Sequence, residues 1–198
     1  MKQHGEDIRY APFANRWLVW DGQRWTRDET GDVARRAKAT VRSMLKSAAD
    51  LDDGDARTAL IKWAVGSESA SRLAAMDALA RTEFGVAVDS SELDRDPYLF
   101  NVANGTIDLR TGELHQADRN DLITKRSSVR YQPGAKAPTW RKFLARVIPD
   151  KDLRDFLQRA VGYSLFGLTS EQVAFLLYGH GANGKSTFLV ALRAAFGD

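Results

Sequence analysis

Near its C-terminal end the chain reads Gly179-His180-Gly181-Ala182-Asn183-Gly184-Lys185-Ser186. The spacing G-x-x-x-x-G-K-[ST] is that of a phosphate-binding loop. Glycines let the backbone curl until successive N–H groups point inward at phosphate oxygens. A helix that starts where the loop ends adds the partial positive charge of its N-terminus. In this reading Lys185 reaches the β- and γ-phosphates of ATP and Ser186 offers its hydroxyl to Mg²⁺. His180, Ala182 and Asn183 contribute mainly backbone, and Thr187 is the last candidate nucleotide contact. The competing reading is a Gly-rich turn that caps a helix and leaves Lys185 simply exposed.

A phosphate loop needs a strand before it and a helix after it. Residues 171–179, EQVAFLLYG, form a short and nearly continuous apolar run, the pattern of a buried parallel strand. Residues 185–196, KSTFLVALRAAF, read as a helix with Gly197 as its stop. Other chemistry is sparse. His4, His115 and His180 are far apart and make no metal-ligand spacing. No Ser/His/Asp set or carboxylate pair stands out, so no catalytic residue is assigned.

Upstream, RWLVWDGQRWTRD (16–28) predicts a hairpin turning at Asp21-Gly22, with Leu18 facing Trp25 and Trp20 on the same side. Arg16, Trp17 and Arg24 then lie elsewhere, free either to join the core or to stack on bases. Residues 32–48 predict an amphipathic helix with Ala34, Ala37, Val41, Met44 and Ala48 on its apolar side. Arg35, Lys38, Arg42 and Lys46 share another face. They are the candidate DNA-binding residues, because such a stripe can follow a phosphate backbone. A solvated helix face is the plainer account. DARTALIKWAV predicts a second helix ended by Gly66, and SESASRLAAMDALARTE a third with Ser67 as its cap. YLFNVANGTIDLRTGELH (98–115) predicts a β-meander with turns at Asn104-Gly105 and Thr111-Gly112. SSVRYQP is a possible further strand. Two helices follow the Pro133–Pro138 linker: TWRKFLARVI, with Trp140, Phe143, Leu144 and Val147 on one stripe, and DKDLRDFLQRAVGYSLFG. The fold class is α+β, a mainly helical domain with hairpin and meander elements followed by a P-loop α/β unit.

The composition sets wide bounds. Of 198 residues, 43% are hydrophobic and 28% charged, which is ordinary globular usage. The net charge of +3 mildly favours an anionic partner. The chain contains no cysteine, so a disulfide framework and thiolate metal sites are excluded, and the expected setting is a reducing cytoplasm. No apolar run is long enough to cross a bilayer, so no membrane partner is expected.

Several stretches in order resemble the phage and plasmid primase–helicases related to the poxvirus primase–helicase, within helicase superfamily 3. They are RWLVWDGQRW, IKWAVGSESASRLAAMDALARTE, DPYLFNVANGTIDLRTGEL and FLQRAVGYSLFGLTSEQVAFLLYGHGANGKSTF. The resemblance covers nearly the whole chain, and the third stretch is the most distinctive. It implies that residues 1–148 are the helical-plus-β domain preceding the helicase and that residues 149–198 begin a P-loop ATPase domain. It implies ATP and Mg²⁺ as cofactors. Its partners would be single-stranded or forked DNA, a primase domain or protein, and copies of itself in a ring, usually a hexamer. The family's acidic Mg²⁺ motif, polar sensor and arginine finger lie downstream of the phosphate loop, beyond Asp198. The expectation is therefore a piece of an ATP-dependent DNA helicase that by itself binds ATP weakly or not at all and does not hydrolyse it. The alternative is a DNA- or primase-binding accessory module, or a prophage remnant, without ATPase activity. A small P-loop kinase fits less well, since its loop would come near the start. A last expectation is that residues 1 to about 150 stand alone, with a poorly supported tail.

Overall fold

The computed structural model describes residues 3–181 and 183–197, so the candidate Ala182 lies outside the described residues. Among the described residues there are six α-helices and two three-stranded antiparallel sheets, an α+β fold. The chain divides into two compact units, one ending at Leu93 and one beginning at Asp94.

The first unit opens with β1 (Ile8–Ala11), β2 (Arg16–Trp20) and β3 (Trp25–Arg27), paired in that order. Trp25 is 1% exposed, and Ile8, Tyr10 and Leu18 are buried with it. The hairpin differs from the expected two-residue turn. Trp20 lies opposite Trp25, and Leu18 lies opposite Arg27. Asp21 causes this: its carboxylate accepts from the N–H groups of Gln23 and Arg24, both at 2.8 Å, and closes a four-residue loop. The register moves by two residues, so Leu18, Trp20 and Trp25 still share one face. Trp17 is not available for bases. Its indole N–H donates to Asp77 at 2.7 Å, and its ring meets Tyr10 edge-on at 5.1 Å.

Three helices follow: α1 (Asp32–Ala49), α2 (Gly54–Ser67) and α3 (Ala70–Ala80). Gly31 occupies the cap position of α1, but Asp28 supplies the capping oxygens, accepting from the N–H groups of Asp32 (2.7 Å) and Val33 (3.0 Å). Burial opposes that carboxylate's charge, yet backbone N–H donors from Thr30 to Val33 outweigh it and hold its pKa below the usual value. Val33, Val41 and Ala48 form the buried stripe of α1, whereas Ala34 is exposed. Gly66 does not end α2. The helix runs one residue past it, to Ser67, and the Arg72 guanidinium lies over the space beside Gly66. Ser67 does not cap α3; it is buried inside α2 and donates to the Trp63 carbonyl at 2.8 Å.

The second unit starts with a meander: β4 (Leu99–Val102), β5 (Gly105–Asp108) and β6 (Glu113–His115). Val102 pairs with Gly105, so Ala103 and Asn104 make the tight turn and Gly105 begins the next strand. Gly105 has φ +145°, and a Cβ there would sit 2.2 Å from the His115 carbonyl oxygen. SSVRYQP forms no strand, but it runs beside β4 through two backbone bonds, Ser127 N–H to Asn101 O (2.9 Å) and Ala103 N–H to Val129 O (3.0 Å). The Asn104 amide clamps the same segment at Tyr131, donating to its carbonyl (3.0 Å) and accepting from its N–H (2.8 Å). Then come α4 (Pro138–Val147), α5 (Lys151–Leu165) and α6 (Lys185–Phe196). Asp150 caps α5 by accepting from Asp152 and Leu153 N–H.

Residues 171–179 form no strand, contrary to the periodicity. Val173, Phe175, Leu176 and Tyr178 are 58%, 45%, 86% and 87% exposed. An extended segment needs a neighbouring strand to satisfy its N–H and C=O groups, and none among the described residues pairs with it. Beyond that segment the tail is better held than expected. Phe188 is buried and stacks on Trp140, with ring centroids 5.8 Å apart. Ser127 Oγ donates to the Ala195 carbonyl at 2.6 Å, near the C-terminal end of α6. Chymotrypsin at low dose is therefore expected to cut first between Phe175 and Tyr178, with the α6 fragment still bound on gel filtration. First cleavage at Phe188 or Leu189 would contradict this account of the tail.

Candidate functional site

Two glycines shape the loop. Gly179 has φ +143°, and a Cβ on it would lie 2.5 Å from the Asn183 side-chain nitrogen. Gly184 has φ +86°, and a Cβ on it would lie 2.8 Å from Val147 Cγ1 and 3.1 Å from Phe143 Cζ. The positive φ disfavours a side chain at both positions, and at Gly184 the packed Val147 and Phe143 also leave no space for one. The second contact also shows how the loop's end is fixed: Gly184 is pressed onto the apolar stripe of α4. Phe143 and Trp140 stack there at 5.3 Å.

Lys185 is the first residue of α6, and its side chain turns back over the loop. The ammonium donates to Gly179 O (3.0 Å), His180 O (3.1 Å) and Asn183 Oδ1 (2.7 Å). Three donors thus meet three acceptors. Phe188 N–H bonds Gly184 O at 2.9 Å, which leaves the N–H groups of the first turn, Lys185 to Thr187, ahead of the intrahelical ladder. Ser186 and Thr187 are exposed on that turn, and Gly181, His180 and Asn183 are exposed in the loop. His180 enters the geometry through its carbonyl, which accepts from the Lys185 ammonium.

This arrangement fits a phosphate group. It supplies a fixed cation, first-turn N–H groups and two glycines that keep the cradle free of side chains. Among the described residues no group of three or more His, Cys, Asp or Glu could hold a metal ion.

Arg35, Lys38, Arg42 and Lys46 lie along α1, and Arg35 and Arg42 keep 57% and 69% of their side-chain surface in solvent. Both have local partners. Arg35 donates to the Thr30 carbonyl (2.6 Å) and lies 3.2 Å from Asp32. Arg42 lies 3.9 Å from Glu68. Such exposed pairs are weak and exchange readily for other anions. Sequence reading missed the Asn183 side chain, which the motif treats as a variable position. It also missed the wall that Phe143 and Val147 build behind Gly184, which only the packing of α4 could reveal.

A protein family described as "D5 N terminal like" matches residues 1–149, more than half of the chain. The chain belongs to this family. The matched span takes in both sheets and helices α1 to α4, and the phosphate loop lies beyond it. It agrees with the resemblance to primase–helicases read from the sequence. The chain is also 31% identical over 110 residues to a protein of Acanthamoeba polyphaga mimivirus named a putative helicase. That alignment covers 54% of this chain and only 12% of the viral protein. Among the described residues, no helix is long and apolar enough to cross a membrane.

Proposed function

We propose that this chain is part of a DNA-replication helicase of the primase–helicase type, with residues 1–148 as an accessory domain and residues 149–198 as the opening of an ATPase domain. The observation that carries the proposal is the Lys185 ammonium held over a loop shaped by Gly179 and Gly184, in a chain of the D5 N terminal like family. In this reading the loop binds the phosphates of ATP. Lys185 exchanges carbonyl acceptors for phosphate oxygens, first-turn N–H groups of α6 donate to them, and Ser186 meets Mg²⁺. The homo-oligomeric ring and the DNA substrate belong to the same proposal and rest on the resemblance to primase–helicases read from the sequence.

The test is titration of the chain with MgADP by calorimetry. Saturable binding is expected, and Lys185→Ala should weaken it by at least about tenfold, the effect of removing one charge-assisted hydrogen bond. No heat at millimolar MgADP, or equal affinity for the variant, would sink the nucleotide reading.

A second reading rests on the cations of α1, with the accessory domain contacting single-stranded or forked DNA or a primase. Lys38→Glu with Lys46→Glu should weaken binding to an oligo(dT) strand. It should also flatten the dependence of log affinity on log salt by roughly 0.7 for each phosphate no longer neutralised. A slope that does not change would remove the stripe from the binding surface.

A further inference from the structure

We propose that Asn183 is a positioning residue that holds the Lys185 ammonium over the phosphate loop. The lysine stem springs from the first residue of α6, and without restraint a side chain of this kind samples many rotamers in water. Here the ammonium has three hydrogen-bond acceptors. Two are the backbone carbonyls of Gly179 and His180, at 3.0 and 3.1 Å, and are present whatever residues stand there. The third and shortest, at 2.7 Å, is the Asn183 side-chain oxygen. It is the one acceptor of the three that a substitution can remove.

The same carboxamide lies beside the first glycine of the loop. Its nitrogen lies where a Cβ on Gly179 would intrude, at 2.5 Å. Asn183 therefore spans the mouth of the loop, with its oxygen on the cation and its nitrogen against the first glycine. A cation fixed in this way is aimed before an anion arrives, so less side-chain entropy is lost on binding. When a phosphate oxygen enters, it takes over an ammonium donor from one of the two backbone carbonyls, and the neutral Asn183 amide keeps its hold on the cation without opposing the anion's charge. An aspartate at this position would also hold the ammonium, but would set a negative charge against the incoming phosphate. The consequence for affinity rests on the nucleotide reading above; the seating of Lys185 does not.

The experiment has two readouts on the full 198-residue chain. The first is the ¹⁵N resonance of the Lys185 ammonium in the free protein, assigned by its loss in Lys185→Ala. Hydrogen-bonded ammonium groups exchange slowly enough with water to be seen, and loose ones do not. The resonance should persist in the wild type and in Asn183→Asp and vanish in Asn183→Ala. The second is MgADP affinity, which should fall about fivefold in Asn183→Ala and at least about tenfold in Asn183→Asp. A Lys185 resonance unaltered by Asn183→Ala overturns the proposal. If the resonance responds as expected while no protein binds MgADP, the seat for Lys185 stands and the nucleotide reading falls.

Discussion

The stack of Trp140 on Phe188 is the contact on which the candidate site depends. The rings lie 5.8 Å apart and 12° from parallel, and they join α4 to the first turns of α6. Aromatic burial of this kind is among the larger single contributions available to a small domain. Because Phe188 follows Lys185 within a single helical turn, fixing its ring fixes where the helix begins. Gly184 is then driven against Phe143 and Val147, and no side chain fits between. At the other end, the Ser127 hydroxyl and the close approach of Gly197 to the backbone of Arg126 and Ser127 hold α6 beside the meander. The helix is anchored at both ends, so its N-terminus stays in place without a completed sheet behind it.

Electrostatics then decides what that N-terminus does. The Lys185 ammonium meets three oxygens of the loop, none of them a carboxylate. Neutral acceptors hold a cation without cancelling its charge, so the loop keeps a positive focus that an anion can still use. Arg36 on α1 shows the contrary case. It lies 2.5 Å from Asp32 and 3.2 Å from Asp7, and these carboxylates raise its pKa further and neutralise it. The Arg36 charge is committed to the fold, whereas that of Lys185 remains available.

Much of this was legible in the sequence, and the failures have physical causes. The helices over residues 32–49, 138–147, 151–165 and 185–196 follow from apolar spacing, a Pro at a helix start and an Asp cap. The meander and the buried face of the first hairpin were also readable. The hairpin's register was not, because the Asp21 carboxylate closes a longer loop than the Asp-Gly pair suggests. Gly66 looked like a helix stop, and α2 ends one residue later, at Ser67. The apolar run over 171–179 has strand character without a partner, and periodicity says nothing about partners. At the site, the positions of Gly179, Gly184 and Lys185 were plain from spacing. The part played by Asn183 was not, because it depends on where the lysine stem turns, and a motif does not record side-chain direction.

The central proposal is that Gly179 and the residues from Asn183 to Thr187 bind phosphate, held in place by the docking of α6. Hydrogen–deuterium exchange with and without saturating MgADP tests it most directly, since the cradle acts through backbone N–H groups. The account predicts new protection confined to the amides of residues 183–188, with the strands of both sheets unchanged. Unaltered exchange across the loop at saturating nucleotide, or protection only elsewhere in the chain, would contradict it.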